Sequence, residues 1–246
     1  MKKTKKIVTL ALAMVLLVCT TIMATVAYLQ STTEVVKNTF TVGKVAITLD
    51  EARVDLYGNP LKQKVDTEGN KVTDAEGNAV YEICERTAAD RVITNDYKLI
   101  PSHEYVKDPT VHVAAGSEES YIRMIVTISD LEDVKAVLGV DEETKAFLPQ
   151  YFVKGWDDEV WVSTKNILET TDAATYEFRY YKTVNTLELQ EGKVLDLEPL
   201  FTDIVVPEGV DNENLAKLEE LEINVIAHAI QADGFADADE AWAAFE

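Results

Sequence analysis

From Tyr121 to Ile128 the chain alternates, with Ile122, Met124, Val126 and Ile128 on one face and Tyr121, Arg123 and Thr127 on the other. A period of two predicts a strand with one face on a core. The stretch Glu222–Gln231 is apolar in both phases, Ile223 and Val225 on one side and Ile226 and Ile230 on the other, which predicts a central strand covered on both faces. Strands of these two kinds need a second layer to pack against, so the pattern predicts an antiparallel β-sandwich. Further strands are predicted at Asn38–Asp50, Tyr97–Ile100, Pro109–Val113, Val160–Val162 and Tyr176–Val184. In the first of these, Phe40 and Val42 share one phase and Val45, Ile47 and Leu49 the next; the shift at Gly43-Lys44 predicts a bulge.

Helices are short in this pattern. Asp130 is placed to cap a helix through Leu131, Val134, Val137 and Leu138 that stops at Gly139. Asp211 or Asn212 caps another carrying Leu215 and Leu218, after a turn at Pro207-Glu208-Gly209, and Asp237–Phe245 forms an amphipathic tail that docks Trp242 and Phe245. Between Asp66 and Val80 the string Asp-x-Glu-Gly-Asn-x-Val occurs twice, and Gly-Asn suits the centre of a type II′ turn. Two tandem hairpins in an inserted, solvated arm at about 57–90 are expected. No Pro/Gly/Ser-rich linker divides the rest, so residues 38–246 are predicted as one mainly β domain with short inserted helices.

The N-terminus reads as an export signal. Four lysines precede an apolar run from Ile7 to Leu29, and Thr25-Val26-Ala27 supplies small residues for cleavage between Ala27 and Tyr28. An uncleaved anchor is the alternative, since the run is long enough to span a bilayer. Either way the lysines place the remainder of the chain outside the cell. Cleavage removes Cys19 and leaves Cys84 as the single thiol, so the exported chain has no internal disulfide. It also takes the formal charge from −21 to −25. A surface so acidic repels phosphate backbones, which excludes nucleic acid as a partner, and anionic lipid, so no membrane partner is expected after cleavage.

Several strings point to a family: Thr25-Val26-Ala27-Tyr28-Leu29, Asn38-Thr39-Phe40-Thr41-Val42-Gly43 leading into Val45-Ala46-Ile47-Thr48-Leu49, Asn95–Pro101, Lys107–Val111 and Ala227–Phe235. The chain resembles the TasA/camelysin family, exported proteins of Gram-positive bacteria whose signals are cut by a dedicated SipW-type peptidase. The resemblance implies a jelly-roll sandwich, secretion, and a structural role in biofilm matrix fibres, in which one subunit's N-terminal segment inserts as a strand into the next. Residues 28–37 would be that segment, with Tyr28, Leu29, Val35, Val36 and Phe40 as the self-assembly residues and a second copy of the chain as the partner. Such β-branched, extended sequence suits addition to a sheet edge, and head-to-tail insertion gives filaments. Ser102 after Pro101, where relatives are expected to carry glycine, and the arm with Cys84 depart from the pattern.

Camelysin members are metallo-endopeptidases, so the resemblance also carries an enzyme as an alternative, and a monomeric cell-surface binding module is a third reading. The residues give the enzyme little. A zincin needs two histidines four apart on a helix beside a glutamate, whereas His103, His112 and His228 are isolated, and three histidines with two cysteines build no structural zinc site. No Gly-x-Ser-x-Gly nucleophile turn is present. No catalytic residue and no cofactor are expected. Calcium is the ion the acidic clusters would suit: Asp66, Glu68, Asp74 and Glu76 on the tandem turns and Asp157 and Asp158 in a second group. Neither cluster has the spacing of an EF-hand loop, and a solvated acidic face is the simpler reading. Trp156 and Trp161 flank a predicted strand, where a core or edge role is commoner than the alternative of a glycan platform.

Overall fold

The computed structural model describes residues 30–34, 37–38, 44–140, 148–170 and 172–245. Ala27, Tyr28, Leu29, Val35, Val36 and Phe40 lie outside these residues, as does the apolar run Ile7–Leu29. Every strand pairing among the described residues is antiparallel. One sheet has six strands in the order β11 (Trp161–Glu169), β12 (Ala173–Tyr180), β9 (Ser120–Ser129), β15 (Ile223–Gln231), β1 (Gln30–Glu34) and β2 (Lys37–Asn38). A four-stranded sheet runs β13 (Val194–Asp196), β8 (Thr110–Ala114), β3 (Ile47–Ala52) and β6 (Arg91–Val92). A smaller sheet joins β10 (Val153–Lys154), β14 (Asp203–Val205) and β7 (Glu104–Val106), and β4 (Leu61–Gln63) pairs with β5 (Tyr81–Ile83) at the base of the arm.

The core lies between the two large sheets. Ile122, Met124, Val126 and Ile128 of β9 and Ala174, Tyr176, Phe178 and Tyr180 of β12 meet Ile47 of β3 and Val111 and Val113 of β8. Packing is complementary in size along the central strands, where Ala227 and Ala229 of β15 stand opposite Met124 and Ile122 of β9. Trp161 is fully buried, and its indole N–H donates to the Glu198 carbonyl at 2.8 Å. Trp156 packs edge-on against Phe178. Trp161 is therefore a core residue, and the half-buried Trp156 packs against the core from its edge. A second cluster gathers Tyr105, Val206, Val210 and Leu215. The Tyr105 hydroxyl donates to the Lys98 carbonyl and accepts from the Ile100 N–H, both at 2.7 Å. Gly58 is required beside it, since its φ is +79° and a Cβ there would lie 2.6 Å from the Tyr105 Cα.

The three α-helices among the described residues are short. Helix α1 (Leu131–Leu138) buries Leu131 and Val134 and ends at Gly139 in the left-handed region, as its sequence predicts. Helix α2 (Asn212–Ala216) is capped by Asp211, which accepts from the Asn214 N–H. Helix α3 (Ala238–Phe245) seats Trp242 and Ala241 against Ile230. Among the described residues no helix is long and apolar enough to cross a membrane.

Four local expectations are corrected. The single bulged strand expected over Asn38–Asp50 is replaced by β2 and β3 in different sheets, and Lys44 takes φ 48° where the phase changes. Tyr97–Ile100 forms no strand, because Lys98 bonds to Leu56 and the Tyr105 hydroxyl holds Lys98 and Ile100. Asp130 caps no helix through its side chain; it sits at φ 50° and accepts from the Ser129 hydroxyl. The tandem turns are not type II′. In each, the glycine N–H returns to the aspartate carbonyl, Gly69 to Asp66 and Gly77 to Asp74, so Thr67-Glu68 and Ala75-Glu76 occupy the centre and the glycine comes next at positive φ. Asp55-Leu56-Tyr57-Gly58-Asn59 makes a third turn of the same kind. The Asp-x-x-Gly-Asn spacing common to all three is the sequence signal.

Candidate functional site

The expected assembly segment is described over Gln30–Glu34 and Lys37–Asn38, and it borders β15 of its own chain. Gln30 pairs with Ile230, Ser31 with Ala229 and Thr32 with His228. The strand then turns away: Thr33 and Glu34 pair with Asn38 and Lys37 of β2. The seat of β1 is therefore the Gly234-proximal half of β15.

The outer face of the sheet behind that seat is held by charge and aromatic contacts. Arg123 on β9 lies opposite His228, and its guanidinium stands 4.3 Å over the Trp242 ring and 5.0 Å over Phe245. Its Nε donates to His228 Nδ1 at 3.2 Å, and the His228 ring stacks on Phe245. Glu177 on β12 bridges Arg123 and Arg179, and Arg179 reaches Asp239 on α3. Alternation places Arg123 outward, but the ladder that sets Glu177 and His228 on either side of it is a pairing between distant strands that the sequence does not display.

On the opposite sheet a second network runs along the outer face of β3 and β8. Asp50 accepts from Arg91 Nε at 2.6 Å and faces His112 Nε2 at 2.9 Å, while His112 Nδ1 meets Asp196 at 2.6 Å. Arg91 also reaches Asp108, which accepts from the Ala52 N–H. Nearby, Lys107 and Glu51 form an ion pair at 2.6 Å with both side chains about nine-tenths covered. Asn95 donates to Glu51 and to the Ala52 carbonyl.

The two histidines titrate in opposite directions. The hydrogen bond to Asp50 raises the His112 pKa, burial opposes this, and the Asp196 contact adds to the rise. For Asp50, burial pushes the carboxyl up, but hydrogen bonds from His112 and Arg91 outweigh it and hold it below the ordinary range. Burial, then the Arg123 charge, push His228 down to about 4. A raised folded value means the His112 contribution is complete below about pH 6.5 and is lost as pH rises through that value. A depressed one means the His228 contribution is complete above about pH 6.5 and is lost as pH falls toward 4. Urea midpoints measured across pH should therefore lose part of their alkaline decline in His112→Gln and part of their acid decline in His228→Gln. Slopes equal to those of the parent in both variants would contradict this.

The histidines do not converge. His103 Nε2 contacts the Tyr57 carbonyl, His112 has both ring nitrogens on carboxylates, and His228 sits between Arg123 and Phe245. Asp66 and Asp74 each accept from backbone N–H groups of their own turns, with Asn70 and Asn78 completing the contacts. Hydrogen bonds from Asn70 and Asn78 outweigh slight burial and lower both carboxyl pKa values. Glu68 and Glu76 are exposed on those turns, and Asp157, beside exposed Asp158, accepts from the Glu159 N–H. Among the described residues no group of three or more His, Cys, Asp or Glu side chains is arranged to hold a metal ion. Cys84, at the base of the arm after β5, is a free thiol with its pKa raised by burial.

Below the β1 seat a cleft of about 410 Å³ opens between β15, β3 and the segment 92–99. Leu49, Leu99, Leu218, Leu221 and Val225 contribute its apolar lining. No protein-family model, curated protein or solved structure matches the chain.

Proposed function

We propose that the chain is a secreted structural protein of the extracellular matrix or cell surface that assembles head to tail, each copy's N-terminal strand adding to the β15 edge of the next. The observation that carries this reading is the seat of β1, a short strand at the start of the described chain that meets β15 through Gln30, Ser31 and Thr32. A terminal strand seated on a sheet edge through backbone bonds can fill the same seat on an identical neighbour, with the same contacts and no new surface. Head-to-tail exchange whose rotation does not close on itself propagates as a filament, and that is the assembly proposed here. Export through residues 1–27, jelly-roll connectivity and a signal peptidase as transient partner belong to the same reading. The pairing of β1 with its own β15 favours a second reading, a monomeric surface module in which the segment completes its own sheet.

Sedimentation velocity separates the two. Residues 28–246 with Tyr28 at the N-terminus are expected to give large, concentration-dependent species, and a chain starting at Asn38 a monomer. Monomers from both lengths across concentration and pH would retire the assembly reading in favour of the module.

A further inference from the structure

Among the described residues, the Ile223–Val225 end of β15 is an open edge. Glu222 O accepts from the Ser129 N–H and the Ala232 N–H donates to Glu119 O, so the even-numbered residues of this strand turn their backbone groups toward β9. The odd-numbered residues turn theirs the other way. On that side Ala229 stands opposite Ser31 of β1, but β1 leaves after Thr32, and among the described residues the N–H and C=O groups of Ile223 and Val225 meet no partner. Unpaired groups on a strand edge are a template for a further strand.

The space beside this edge fits one. The 410 Å³ cleft begins at Ile223, Asn224 and Val225 and is lined by Leu49, Leu99, Leu218 and Leu221. A strand lying there would point alternate side chains into that lining and the others outward. The charge of the cleft selects the occupant. Asp96, Glu219 and Glu222 line it and are exposed, and among the described residues none forms an ion pair. Lys107, its one lysine, is held by Glu51. A second copy of the exported chain brings a formal charge of −25, and in Gln30–Asn38 the charges of Glu34 and Lys37 cancel. Neither complements the rim.

We propose that this groove docks an extended, cationic segment of a different protein, which adds as a strand to the Ile223–Ile226 edge with apolar residues at alternate positions. This goes beyond self-assembly and uses a different half of β15, so either can fail alone. The segment's backbone completes the hydrogen bonds of Ile223 and Val225, and its lysines or arginines meet Asp96, Glu219 and Glu222.

The test uses residues 28–246, which contain every described element, and a capped peptide of alternating valine and lysine about seven residues long. Amide hydrogen exchange is read at Ile223 and Val225. The peptide is expected to slow both amides at least about tenfold and to leave Ala229 unchanged. Combining Asp96→Asn, Glu219→Gln and Glu222→Gln, all exposed, should weaken binding on the order of tenfold at low salt. Three results would overturn the proposal: no protection at Ile223 and Val225, equal protection by a valine–glutamate peptide, or slow exchange before any peptide is added. The last would mean that the chain's own residues or a second copy already fill the groove.

Discussion

Lys107→Met is expected to lower the unfolding free energy by about 3–5 kcal/mol, the loss typical of removing one member of a covered ion pair. Its ammonium lies 2.6 Å from Glu51 and 5.8 Å from the centre of the Tyr97 ring, and both charged side chains are about nine-tenths covered. Without the lysine, Glu51 keeps Asn95 as a hydrogen-bond donor but has no countercharge, and a carboxylate so placed is costly. The double change Lys107→Met with Glu51→Leu should recover roughly half or more of the loss, because it removes the orphaned charge as well. Urea unfolding measures both. A loss below about 1 kcal/mol for the single change, the size of an exposed pair, would show that solvent reaches this pair.

Trp161→Ala is expected to cost about 3–5 kcal/mol through the cavity it leaves. The indole is fully buried, tilts against Tyr180 with ring centres 5.0 Å apart, and satisfies the Glu198 carbonyl. Trp161→Phe keeps most of the packing but leaves that carbonyl without its donor, a loss of about 1–3 kcal/mol. Calorimetric or denaturant midpoints should therefore fall in the order parent, phenylalanine, alanine. Equal effects from the two substitutions would place the stabilisation in the hydrogen bond rather than in packing.

The elements legible in the sequence are those whose burial is set along one strand or one helix. Alternation locates β9 and the apolar run locates β15 as a strand of the large sheet, although its second face is only part-covered, with Asn224 exposed, and the Asp211 cap and the Gly139 stop mark helix ends. The illegible elements depend on where a distant residue arrives. Tyr97–Ile100 carries strand-forming residues, yet the buried Tyr105 hydroxyl fixes its backbone out of any ladder. The turns at Asp66 and Asp74 differ from the expected type because Gly-Asn does not take the central positions; the aspartate side chain organises the loop and moves glycine to its end.

The candidate site is legible to the same extent. The N-terminal segment can be marked as strand-forming, but its register on β15 and the departure of β1 after Thr32 are tertiary facts. The partners of Arg123, Lys107 and His112 come from strands separated by 54 to 105, 56, and 62 to 84 positions respectively, beyond the reach of any local pattern.

Strand exchange is tested most directly at Ser31 and Ala229, which stand opposite each other in the β1–β15 register. In a Cys84→Ser background, one chain carries Ser31→Cys and another Ala229→Cys, and the two are unfolded, mixed, refolded and oxidised. A disulfide-linked species containing one chain of each kind is expected, since the strand of one copy lies on the sheet of the next. No linked species from the mixture, while a chain bearing both cysteines closes the bond within itself, would contradict it.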